Sequence, residues 1–216
     1  MMPDTLWDHL PNLIAILAIF TVGVASPGPA TLMILGTAMA SGRAPAVALS
    51  FGVVLGSMAW ASIAALGFVA ALKSSAALFV ALKLAGGLYL TFLAARSWRS
   101  AFTAGTTAAP GSAGTGSLGR CFAQGLLLHL TNPKAPLVWL ATLSVGVGET
   151  APPALLTTAI LLCAIVAMTV FVGYAFLFST ETASRFYLSI RRPIDGLLGA
   201  LFGAAAFKIL TYRPNW

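Results

Sequence analysis

A chain of 216 residues in which 59% are hydrophobic and only 8% charged cannot cover a water-facing surface, for which soluble domains use about 25% charged residues. Its net charge of +7 comes from basic residues scattered at the ends of apolar runs. There is no basic helix or clustered patch of the kind nucleic-acid binding needs, so nucleic acid is excluded as a partner and the lipid bilayer takes its place. The apolar runs are long and continuous rather than alternating in strand-length pieces, which selects transmembrane helices over a barrel.

Residues 10–42 contain no charged side chain and form the first span, preceded by Trp7 at interfacial level. Asp4 and Asp8 in its leader, with no Lys or Arg, argue against a cleaved signal peptide. Ser26-Pro27-Gly28-Pro29 breaks this span near its middle. Proline lacks an N–H and clashes with the preceding turn, so Pro27 and Pro29 free the carbonyls of Gly23 and Ala25. After the turn Ser41–Pro45, residues 44–72 form the second span, with Gly52-x-x-x-Gly56 as a close-packing pattern. That pattern serves equally within a subunit or between two, so a homo-oligomer stays open. The third span runs from about Ala76 to Ala95, with Lys83 inside it and Arg96, Trp98 and Arg99 at its exit.

Residues 103–119, rich in Gly, Ala, Ser and Thr, form a flexible loop. The fourth span, about Cys121 to Val147, is broken at Asn132-Pro133-Lys134-Ala135-Pro136. Glu149 and Pro152-Pro153 make the next turn, and residues 154–178 form an uncharged fifth span. Glu181, Arg185, Arg191 and Arg192 lie in the loop that follows. The sixth span runs from about Pro193 to Leu210, with Tyr212 and Trp216 beyond it.

The expected architecture is therefore an all-α membrane protein of six transmembrane helices, one transmembrane domain over 1–216. Arg43, Arg96, Arg99, Arg120, Arg185, Arg191 and Arg192 follow the odd-numbered spans, against Lys73, Lys208 and Arg213 on the other side. The positive-inside rule places that first set in the cytoplasm and both termini in the periplasm. A shift of 106 brings Pro27 onto Pro133, and a shift of 110 brings Leu84, Gly86, Leu88 and Phe92 onto Ile194, Gly196, Leu198 and Phe202. Two three-helix repeats result, 1–102 and 120–216, and an odd number of spans per repeat makes them inverted. Broken spans at matching places in inverted repeats point to a substrate site near the midplane.

Each half-helix after a break starts with unpaired N–H groups and a positive dipole end, which suits a carboxylate. The expected substrate-binding residues are Ser26, Pro27, Gly28, Pro29, Asn132, Pro133 and Lys134. Lys134 is the sharpest of them, because an unpaired cation at that depth costs about 2.5–3.5 kcal/mol on insertion scales. A substrate carboxylate or the freed carbonyls would be its partner. Lys83, His129 and Asp195 are the groups placed for coupling or gating. Cys121 and Cys163 form no CxxC pair, so neither a disulfide, a zinc site nor a thiol relay is indicated. Nucleotide, zinc-protease and nucleophile-elbow motifs are absent as well, so no catalytic residue, metal or cofactor is expected.

These motifs carry a resemblance. Ser26-Pro27-Gly28-Pro29-Ala30-Thr31 followed by Ser41-Gly42-Arg43 resembles the first-helix signature of the LysE/RhtB family of amino-acid exporters. Gln124-Gly125 through Asn132-Pro133-Lys134-Ala135 resembles its fourth-helix signature, and Lys83-x-x-Gly86-Gly87-x-Tyr89-Leu90 its third. The resemblance implies a multi-pass exporter of amino acids in the bacterial inner membrane, driven by the proton-motive force. Two departures stand out. Ser57 occupies a position often acidic or otherwise polar in the family, and the proline common after the fourth helix is missing from Leu143-Ser144-Val145. The Ser57 departure points to a neutral rather than a cationic substrate. A passive channel, a membrane redox protein of the related thiol-relay kind and a non-transporting assembly subunit are the readings from other classes.

Overall fold

A computed structural model describes residues 9–74, 76–102, 116–146 and 152–211. Every element among them is a helix: α1 (Leu10–Ala25), α2 (Pro29–Ser41), α3 (Arg43–Ser74), α4 (Ala76–Phe102), α5 (Leu118–Thr131), α6 (Lys134–Gly146), α7 (Pro153–Leu177) and α8 (Glu181–Leu210). Both proline motifs break their helices, and α1 and α2 are bent by 51° where they meet. Among the described residues three helices are long and apolar enough to cross a membrane, Arg43–Phe68 within α3, α7 and α8, and the bent α1–α2 pair makes a fourth if it is one span. The expected interfacial Trp7, residues 103–115 of the expected 103–119 loop, Val147 and Glu149, and Tyr212, Arg213 and Trp216 lie outside the described residues, and the end of that loop is helical, since α5 begins at Leu118.

Three boundaries differ from the sequence expectation. Helix α8 starts at Glu181, not near Pro193, so the expected loop of Glu181–Arg192 is helical and Pro193 lies inside the helix. The charges there hid an amphipathic segment. Tyr187 is buried against Phe178, with ring centroids 4.8 Å apart, while Glu181 and Arg185 pair one turn apart on the exposed face. Helix α4 likewise continues past Ala95 to Phe102, carrying Arg96 and Arg99 on its last turns. The second break is shorter than expected. Helix α6 resumes at Lys134, because Pro136 falls in its first turn, where a missing N–H costs no helical bond.

Small residues set the closest helix contacts. A Cβ on Gly52 would overlap the Phe122 carbonyl oxygen and come within 2.7 Å of the Leu126 nitrogen, and one on Gly56 would lie 2.9 Å from His129 Cβ. Gly125 returns the contact by sitting against the Leu49 carbonyl. The Gly52–Gly56 pattern is thus consumed inside one subunit, where α3 packs on α5. Ser50 Oγ ties α3 to α7 by donating to the Phe171 carbonyl at 3.0 Å, in addition to the Ala46 carbonyl of its own helix at 2.8 Å. Trp98 Nε1 ties α4 to α8 by donating to the Gly196 carbonyl at 3.2 Å. Large apolar side chains such as Leu66, Ile165, Phe186 and Phe207 remain exposed, as suits helices whose outer surface meets hydrocarbon.

Candidate functional site

The two breaks lie against each other, and the carbonyls that the prolines free are individually satisfied. At the end of α1, Ser26 Oγ donates to the Gly23 carbonyl at 2.8 Å, and Tyr174 Oη of α7 donates to the Ala25 carbonyl at 2.9 Å. These are the two carbonyls that Pro27 and Pro29 release. The Ser26 carbonyl accepts from Lys134 Nζ at 2.9 Å, and the same ammonium donates to Ser26 Oγ at 2.5 Å. A cation therefore sits at the carbonyl-rich end of α1, which carries the negative end of its dipole. Lys134 thus meets the Ser26 carbonyl and hydroxyl, not one of the carbonyls that the prolines release.

The second break is closed differently. The Asn132 N–H donates to the His129 carbonyl at 3.3 Å. Asn132 Oδ1 then accepts from the Lys134 N–H at 3.0 Å, and the Asn132 carbonyl accepts from the Ala135 N–H at 3.0 Å. Since Pro136 has no N–H, the start of α6 keeps few donors for a ligand. The start of α2 is unlike it. Gly28 caps it without a side chain, and the N–H groups of Ala30 and Thr31 have no acceptor among the described residues. The sequence expectation of two converging donor ends thus reduces to one, with the Lys134 ammonium supplying positive charge from the other side.

Two cavities flank this junction. The larger, about 550 Å³, is lined by all seven expected binding residues, Ser26, Pro27, Gly28, Pro29, Asn132, Pro133 and Lys134, together with Tyr89, Arg96, Ser100, Arg191 and Asp195. The smaller, about 30 Å³, lies across the breaks and is walled chiefly by Phe20, Val24, Val138, Trp139 and Phe171, with Thr31, Ser57 and His129 among its polar members. Gly28, Pro29, Asn132 and Lys134 line both and form the partition between them. A side chain at Gly28 would sit 3.1 Å from Lys134 Nζ, so glycine keeps the partition thin.

The three residues set aside for coupling or gating separate. Asp195 is 3% exposed and faces the large cavity, accepting from Ser100 Oγ at 2.6 Å with Arg191 Nε 3.8 Å away. His129 is buried in the small cavity's wall, and its Nδ1 has no hydrogen-bond partner. Lys83 is buried in α4 and lines neither cavity. Sequence reasoning missed Arg96, Ser100 and Arg191 as cavity residues because it ended the third span at Ala95 and began the sixth near Pro193. Tyr174 carried no signal at all, being one aromatic residue in an apolar run. Among the described residues no three His, Cys, Asp or Glu side chains group as a metal ion would require.

Comparison with known proteins supplies the wider context. The family model for LysE type translocators matches residues 21–213. The chain is 30% identical over 193 residues to the threonine efflux protein of Escherichia coli, covering 89% of this chain and 94% of that protein. It is 27% identical over 214 residues to the leucine efflux protein of Salmonella choleraesuis, covering 96% and 95% respectively. To the uncharacterized membrane protein YahN of Escherichia coli it is 26% identical over 213 residues, covering 97% and 93%. No solved structure matches.

Proposed function

The chain belongs to the LysE type translocator family, and from that premise we propose that it exports a small neutral amino acid across the bacterial inner membrane at the expense of the proton gradient. The observation that carries the site is the Lys134 ammonium, held at both breaks and facing a cavity of about 550 Å³. A zwitterion entering that cavity finds the Lys134 ammonium for its carboxylate, with Ala30 and Thr31 lining the small cavity across the partition. The Ser26 carbonyl and Asp195 stand ready for its own ammonium. The relatives named for threonine and leucine efflux support an amino acid as the cargo.

In this reading six spans form two inverted repeats, with the α1–α2 and α5–α6 pairs as spans one and four. Packing of α4 on α8, and of α3 on α7, supports pairing span three with six and span two with five. Arg96, Arg191 and Asp195 lie at the end of the bundle that the positive-inside rule assigns to the cytoplasm. The large cavity then faces the cytoplasm, the loading side for an exporter, with both termini periplasmic. Export requires that side to close and the opposite one to open around the breaks. Asp195 and His129 are the groups placed to exchange a proton during that cycle.

The test is efflux from cells loaded with dipeptides, with and without this chain. Release of a small neutral amino acid, collapsing when a protonophore is added, is the expected result. Saturable counterflow would separate a carrier from a channel. A set of loaded cells that releases no amino acid would overturn the reading.

A further inference from the structure

We propose that the small cavity across the breaks is the side-chain subsite of the transporter, so that it admits a side chain of two or three non-hydrogen atoms bearing one hydrogen-bonding group. This rests on the exporter reading given above. Three observations carry it. The cavity measures about 30 Å³, and a water-sized group needs roughly 10–15 Å³ by that measure, so two or three such groups fit. It shares Gly28 and Lys134 with the large cavity, so a substrate whose carboxylate meets Lys134 points its side chain through the partition. Its walls are not uniformly apolar. His129, 6% exposed, presents a ring whose Nδ1 has no partner. Ser57 Oγ accepts from Trp139 Nε1 at 3.0 Å and has no acceptor for its own proton among the described residues.

The rest of the wall is closely packed. Phe20 and Trp139 pack with ring centroids 4.6 Å apart, and both are fully buried. The His129 ring meets the edge of Phe171 at 6.2 Å. Such a pocket enlarges only by removing atoms, and a polar group buried without a partner favours a ligand that supplies one. The size limit and the polar preference are therefore separable. Val138 bears on the first and His129 on the second.

The experiment compares threonine with valine, which differ only by a hydroxyl in place of a methyl, within a series from glycine through alanine, serine and leucine to phenylalanine. Initial efflux rates are measured from proteoliposomes loaded with each. Wild type is expected to favour threonine over valine by about tenfold or more, since sites built to bond a hydroxyl reject its apolar isostere, and to fall off beyond three side-chain atoms. His129→Phe should bring the threonine-to-valine ratio towards one, and Val138→Ala should raise leucine transport relative to threonine. If either variant fails to insert, the wild-type series alone decides. A flat series in a protein that still transports amino acids overturns the subsite and leaves the exporter reading standing. If wild type moves no amino acid, the exporter reading falls and the subsite with it.

Discussion

Replacing Lys134 with alanine separates the energetics of folding from those of transport. The substitution removes two charge-assisted hydrogen bonds, to the Ser26 carbonyl and to Ser26 Oγ, each worth about 1.5–3 kcal/mol. In the proposed membrane placement it also removes a buried cation, whose presence at a helix centre costs about 2.5–3.5 kcal/mol. Water in the adjoining cavity can solvate the Ser26 carbonyl left behind. The opposing terms partly cancel, so Lys134→Ala should insert and fold, with at most a modest fall in melting temperature. Transport has no such compensation. Close charge pairs at interfaces couple by about 1.5–7 kcal/mol; a value near the lower end, about 3 kcal/mol, lowers substrate binding by about 10²-fold. Efflux from dipeptide-loaded cells, alongside detergent thermal melts, reads both quantities. Normal efflux with normal folding would refute Lys134 as the carboxylate partner. A collapsed melting curve would show instead that the Lys134–Ser26 bridge is chiefly structural.

Three further outcomes follow from the same structure. Gly52→Val should abolish stable expression, because the added carbons meet the Phe122 carbonyl and the Leu126 nitrogen, which are backbone and cannot turn aside. Gly67→Ala in the same helix meets nothing within 4 Å and should be neutral or stabilising by about 0.5–1 kcal/mol, so fluorescence-detected size exclusion of the two variants forms a matched pair. Tyr174→Phe strips the donor from the Ala25 carbonyl and should cost about 1–3 kcal/mol, seen as a lowered melting temperature with insertion intact. Asp195→Asn keeps an acceptor for Ser100 but leaves Arg191 without its carboxylate. Breaking a buried pair costs about 3–5 kcal/mol, and with Arg191 partly exposed the loss should fall at or below the low end; efflux should also lose its sensitivity to a protonophore.

How far the chain was legible depended on the kind of signal. Pro27, Pro29 and Pro133 declared both breaks, because proline's missing N–H acts through covalent structure alone. The long uncharged run of residues 154–178 declared α7 almost to the residue. The start of α8 was not legible, because Arg191 and Arg192 look like a loop when hydropathy is averaged. Its burial is local, concentrated in Tyr187 against Phe178. The fate of Gly52-x-x-x-Gly56 was also closed to sequence, since small residues permit close approach without naming the partner. Only the position of Phe122 and Gly125 on α5 decides it.

The two breaks show why matching motifs need not do matching work. In the first, the carbonyls released by proline are met by Ser26 Oγ and by Tyr174, while the following helix starts without a side-chain cap and with the Ala30 and Thr31 N–H groups unengaged among the described residues. In the second, Asn132 turns back on the chain and occupies the N–H groups of Lys134 and Ala135. One break thus offers donors and the other offers a charged side chain. A pair of identical ends would place two partial positive dipoles face to face with nothing between them whenever the site is empty. Here the single full charge rests on the Ser26 carbonyl and hydroxyl instead. In the proposed site, a substrate carboxylate arriving at Lys134 would compete with that contact, and the substrate's own ammonium would replace Lys134 on the Ser26 carbonyl. A zwitterion satisfies both partners at once, whereas a simple carboxylate leaves the carbonyl bare and a simple amine leaves the lysine unpaired. Amino acids should therefore be exported in preference to their decarboxylated amines and to the corresponding 2-hydroxy acids. Equal efflux of alanine and lactate from the same proteoliposomes would show that the exchange at Ser26 does not occur.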